Sequence, residues 1–83
     1  MAIVFHPHAL ERIKERGATK EEVRQTIEMG QISPAKSGRM KYEMLFSYGD
    51  FRGLKFCGHK HIEVYCVNEG EDIIVITVVV KYF

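Results

Sequence analysis

His8, Arg12 and Arg16 recur every four residues near the start of the chain, a spacing that lines one edge of a helix with a drift of about 40° per step. An imidazole that titrates near neutrality beside two guanidiniums suits a phosphodiester, because Arg contacts its oxygens bidentately and His moves a proton. The competing reading is a solvated helix edge, with Arg12 and Arg16 paired to Glu11, Glu15 or a second helix.

A second inventory comes from alternate residues of the C-terminal half. If Met40, Tyr42, Met44, Ile62 and Val64 face a core, then Lys41, Lys55, His61, Glu63 and Tyr65 share the opposite face. His59 lies just before this set, and Thr77 falls on one face of the last apolar run. Such a set could cleave RNA without a metal. His or Glu would take the 2′-hydroxyl proton, and Lys or Arg would stabilise the charged phosphorane. The plain alternative is a sheet face that is polar because water covers it.

Two thiols and two imidazoles, Cys57, His59, His61 and Cys66, form a third set in "CGHKHIEVYC". The residue types suit zinc, but the C-x-H-x-H-x4-C spacing is not that of a finger or ribbon. On a regular strand His61 and Cys66 point to opposite faces, so they do not converge. No metal and no cofactor are expected.

The elements that must position these residues are legible. Pro7 suits a first helical turn, residues 9–16 are good helix formers, and Gly17 is a helix stop. Thr19-x-x-Glu22 is a capping box for a second helix that Val23 and Ile27 dock and Gly30 ends. The spacing predicts helices over 7–16 and 20–29, with residues 1–6 as a lead strand or an arm and residues 33–38 as a loop. From Arg39 the period changes to two. Strands are expected over 40–48, 54–56, 61–67 and 73–83, with turns at Gly49-Asp50 and Asn68–Asp72. The last is apolar on both faces, as a central strand would be. The fold class is α+β: two N-terminal helices packed on one face of an antiparallel sheet of about four strands.

Eighty-three residues make a single domain over 1–83 with one modest core. No apolar run approaches the ~20 residues of a membrane-spanning helix. No secretory pattern opens the chain, so a cytoplasmic protein without a membrane partner is expected, its two Cys free. Residues 1–41 carry eight Lys/Arg against five Asp/Glu, and residues 42–83 carry four against six. The helical half is mildly basic, well short of a strongly cationic nucleic-acid domain.

The run "HPHALERIKERGATKEEV" resembles the opening of the bacterial domain-of-unknown-function family 4258. Its members show a His-Ala pair, an Arg row ending in Arg-Gly, a second helix ending in Gly, and a closing strand with Val-x-Thr-Val. The matching positions are His8-Ala9, Arg12, Arg16-Gly17, Val23, Gly30 and the strand "VITVVVKY" with Thr77. That family is similar to the RelE/ParE-like and BrnT-like toxins, compact α+β proteins of toxin–antitoxin pairs, many of them metal-independent ribonucleases. The resemblance implies an RNA-cleaving role, as a metal-independent endoribonuclease, or an RNA-binding one, with a small protein antitoxin as partner. Of the site residues the resemblance carries over His8, Arg12, Arg16 and Thr77; joined with the strand-face inventory above, His8, Arg16 and His61 are the expected catalytic set, and Arg12, Lys41, Lys55 and Thr77 are expected to bind RNA. The alternative is a non-enzymatic interaction module, a homodimer or half of a heteropair, whose partner covers the second apolar face of the last strand.

Overall fold

A computed structural model describes residues 2–83. Strand β1 (Ile3–Phe5) leads into helix α1 (Pro7–Arg16) and helix α2 (Lys20–Met29). Strand β2 (Gln31–Pro34) and a single 3-10 turn (Lys36–Gly38) follow, then the long strands β3 (Met40–Arg52), β4 (Lys55–Glu69) and β5 (Asp72–Tyr82). They form one five-stranded sheet in the order β1-β5-β4-β3-β2.

Both helices occupy the predicted spans, held by local chemistry. The ring of His6 caps α1 by accepting the His8 amide at Nδ1 (3.1 Å), and Pro7 fills the first turn. Gly17 ends it at φ 75°, where the Ala18 amide returns to the Ile13 carbonyl at 3.0 Å. Gly17 is also pressed against the sheet: a Cβ there would stand 2.7 Å from the Tyr82 hydroxyl. In α2 the capping box closes both ways, Glu22 N to Thr19 Oγ1 (3.1 Å) and Thr19 N to Glu22 Oε1 (3.0 Å).

The apolar stripes of the helices bury Ala9, Ile13, Val23 and Ile27 against one face of the sheet. That face supplies Ile62, Val64 and Cys66 from β4 and Ile73, Val75 and Val78 from β5. Lys60 lies on the same face, 6% exposed, donating to the Gly17 carbonyl and to Glu22 Oε1, each at 2.8 Å. A buried ammonium is costly unless its protons are taken up. Here they tie the central strand to the junction between the helices.

The sheet differs from expectation in its strand number, its pairing, its turns and its central strand. It has five strands rather than about four, because β1 pairs with β5 and residues 31–34, which overlap the start of the expected loop 33–38, pair with β3, Ile32 opposite Tyr42. It is mixed rather than antiparallel, because β1 pairs parallel with β5, Ile3 opposite Ile73. The expected strands 54–56 and 61–67 are one strand, β4, running through Gly58. Gly49 takes its positive φ (68°) at a bulge inside β3, and the turn lies at Gly53 (φ 65°). The central strand is β4. β5 has β1 on its outer side only over Ile73–Val75. Beyond that, Arg16 Nη1 donates to the Val78 carbonyl at 2.6 Å, and the Tyr82 hydroxyl donates to the Arg16 carbonyl at 2.6 Å.

Candidate functional site

With the helices on one face, strand alternation sends a second set of side chains to the uncovered face. The register aligns them in rows across the sheet. Ser33, Lys41, Tyr65 and Thr77 form one row, and Gln31, Glu43, Glu63 and Val79 the next. Leu45, His61 and Lys81 form the third. Rows are about 7 Å apart, two residues of strand.

The second row sets two carboxylates directly opposite each other, Glu43 and Glu63. Like charges so placed destabilise a sheet unless something bridges them. Three groups do. Lys41 Nζ stands 3.2 Å from Glu43 Oε2, and Lys81 Nζ 3.3 Å from Glu63 Oε2. His61 lies between the acids, Nε2 at 3.3 Å from Glu43 Oε1 and Nδ1 at 3.7 Å from Glu63 Oε2. The Tyr65 hydroxyl donates to Glu63 Oε1 at 2.9 Å.

These contacts set protonation. Burial alone would raise the Glu63 carboxyl, yet the bonds from Tyr65 and Lys81 and the charges of Lys81 and Lys41 hold it below its ordinary value. Glu63 is therefore a fixed anion. Its bond to Glu43 lifts Lys41 above the ordinary lysine value, so Lys41 is a fixed cation. Burial, then the bond to Glu63, raises the Tyr65 phenol, which stays protonated as a donor. The array thus has fixed charges around an imidazole, with nitrogen atoms facing carboxylates on both sides.

Two open clefts flank it. One, about 340 Å³, is lined by Pro34, Ala35, Lys36, Arg39, Lys41 and Tyr65. Three cations border it, and its wall is a tight loop closed by the Ala35 amide on the Arg39 carbonyl at 2.8 Å. The other, about 310 Å³, reaches Glu43 and His61 past Gly30 and Leu45. Lys41 and Tyr65 belong to both the cationic cleft and the array, and Lys41 and His61 each reach Glu43.

The expected site residues fall into separate places. Lys41, His61 and Thr77 share the uncovered face. His8, Arg12 and Arg16 lie on α1, against the covered face; His8 is exposed, Arg12 pairs with Glu15 at 2.8 Å, and Arg16 holds Val78. Lys55 sits at the start of β4, six residues and about 20 Å of strand from His61. The expected catalytic set His8, Arg16 and His61 is thus divided between the two faces of the sheet. Glu43 and Lys81 complete the array and share the parity of residues already singled out. Lys36 and Arg39 carried no sequence signal beyond their charge, because their loop composition hid their position beside β3.

The four metal candidates do not converge. Cys57 and Cys66 are buried free thiols, and burial pushes Cys66 up to about 12. Among the described residues no cluster of three His, Cys, Asp or Glu is arranged to hold a metal ion, and no helix is long and apolar enough to cross a membrane. A family model described as a domain of unknown function, DUF4258, matches residues 5–80. No curated protein and no solved structure matches the chain.

Proposed function

This chain belongs to the DUF4258 family, and we propose that it is a metal-independent endoribonuclease whose reaction takes place on the uncovered sheet face. The observation that carries the reading is the placing of His61 between Glu43 and Glu63, joined through Lys41 to the cationic cleft. The cleft suits a phosphate of the RNA backbone, with Arg39 able to contact it bidentately and Lys36 and Lys41 as point charges. At the scissile bond His61 takes the 2′-hydroxyl proton at Nδ1, which at 3.7 Å is too far from Glu63 for a hydrogen bond. The 2′-oxygen attacks phosphorus, the bond to the 5′-oxygen breaks, and the proton is returned to that leaving oxygen. The products are a 2′,3′-cyclic phosphate and a 5′-hydroxyl. Glu43 orients the imidazole, and Lys41 stabilises the charge that builds on the phosphorane oxygens. The resemblance to toxin-like ribonucleases supports a place in a toxin–antitoxin pair, with a small protein as inhibitor.

The test is incubation of purified protein with an RNA strand and with DNA of the same sequence, in chelator. The reading expects cleavage of the RNA alone, with cyclic-phosphate ends. Absence of cleavage, or equal cleavage of DNA, which has no 2′-hydroxyl, contradicts it.

A second reading, the interaction module, is favoured by the β3–β4 hairpin tip. Phe51 (60% exposed), Leu54 (102%) and Phe56 (56%) stand in the open there. If that tip joins two copies, Leu54→Glu converts a dimer to a monomer in light scattering; a monomeric wild type counts against it.

A further inference from the structure

A fourth row lies beyond the array on the same face. Ser47 opposes His59, and His59 exchanges both backbone hydrogen bonds with Phe83, at 2.9 and 3.1 Å. Their rings stack, with centroids 5.4 Å apart and planes 23° from parallel. Both are exposed, Phe83 at 54%. His59 precedes His61 by two residues, so the stack begins about 7 Å along the strand from the imidazole, on the side away from the cationic cleft.

Three features make this pair a platform. The backbone bonds hold both rings at the rim of the sheet, so little ordering is lost when a third ring joins them. The stacked rings present flat aromatic surface to solvent, the surface on which a nucleobase stacks. Among the described residues His59 forms no ion pair and no cation stands over the Phe83 ring, so the exposed ring faces are not taken up by other side chains. From the cleft at Lys41 and Tyr65, past His61, to Phe83, the face runs cation, acid/base group, aromatic plane. That order fits one strand of RNA, with a phosphate at one end and an unpaired base at the other.

We infer that the His59–Phe83 stack is a base-binding subsite and that the substrate is single-stranded RNA. The inference rests on the ribonuclease reading for the identity of the nucleic acid, but the stack can be tested without cleavage. A base within a duplex is already covered on both sides by its neighbours, so the platform selects an unpaired one.

The probe is a fluorescent oligouridylate methylated at every 2′-oxygen, which cannot be cut, with an abasic 2′-O-methyl strand of the same length for comparison. The wild type should bind the base-bearing strand about tenfold or more tightly than the abasic one, as expected for a lost stack. Phe83→Ala and His59→Ala should bring the two affinities together, while Phe83→Tyr restores the difference. A duplex competitor should be at least about tenfold weaker than the single strand. His61→Ala should keep the base preference whether or not the wild type cleaves RNA, which separates failure of the subsite from failure of the reaction. Circular dichroism of each variant identifies an unfolded one, and Phe83→Leu, which keeps apolar bulk without an aromatic plane, then takes the place of Phe83→Ala and should likewise bring the two affinities together. Equal affinities of the wild type for the two strands, a preference that survives Phe83→Ala, or no binding at all would overturn the subsite.

Discussion

His61 and Glu43 occupy neighbouring rows of adjacent strands, and the imidazole Nε2 stands 3.3 Å from the carboxylate Oε1. Their side chains therefore meet on the diagonal of the sheet, where long side chains reach each other. The carboxylate fixes the ring's orientation from one side, and the second cleft reaches the same pair from solvent. Glu43→Gln should thus keep the fold and the affinity for uncleavable RNA while slowing cleavage. Single-turnover rates with an affinity measured alongside check this; a loss in affinity alone would make Glu43 part of the binding surface.

The cationic cleft gives a salt-dependent expectation. Each phosphate contact to a single strand contributes about −0.7 to the slope of log affinity against log salt. Arg39→Ala should lower the magnitude of that slope by about this amount. An unchanged slope would mean that Arg39 does not contact RNA.

Glu63 links the array to acid stability. Its folded-state value is below its ordinary 4.5, so the unfolded chain binds the proton more readily. The stabilisation is fully present above pH 4.5 and is lost as pH falls through the lower folded value. Glu63→Gln should therefore flatten the fall in thermal midpoint below that pH. A wild-type slope in the variant would show that Glu63 is not coupled to folding.

Arg16 and Lys60 anchor the helices. The bond from Arg16 to the Val78 carbonyl involves a charged donor, so Arg16→Ala should cost about 1.5–3 kcal/mol. Lys60→Met leaves the half-exposed Glu22 carboxylate and the Gly17 carbonyl without their shared donor and should cost about 1.5–3 kcal/mol. Urea titrations measure both. A Lys60→Met variant as stable as the wild type would mean that solvent reaches Glu22 freely.

Cys66 supplies a clock for opening of the core. A thiol pushed up to about 12 by burial has almost no thiolate at pH 8, and the thiolate is the reactive form. A maleimide should leave Cys66 unmodified in the folded protein and label it in urea, as mass spectrometry reads directly. Fast labelling of the folded chain would show that the sheet opens at Cys66.

The helices were legible because their signals are local: a proline start, a glycine stop and a capping box each act within one turn. Strand alternation likewise put Lys41 and His61 on one face correctly. What the sequence hid depends on distant pairing. Residues 31–34 become a strand only because β3 lies beside them, and the choice between strand and arm for the lead segment is made by β5. Gly49 carried a genuine left-handed signal, but the choice between a bulge and a turn is made by the partner strand. The opposition of Glu43 and Glu63 is a matter of register, and no periodicity within one strand reports it. His8 and His61 looked equivalent as acid/base groups until the sheet came between them.

That separation allows the most direct measurement. Single-turnover cleavage of one single-stranded RNA should be followed with the wild type, His61→Ala and His8→Ala, each confirmed as folded. Removing the acid/base group should slow cleavage by about 10²–10⁴-fold. The account therefore expects that loss for His61→Ala and a near wild-type rate for His8→Ala. A large loss with His8→Ala and none with His61→Ala would move the chemistry to the helical face and contradict it.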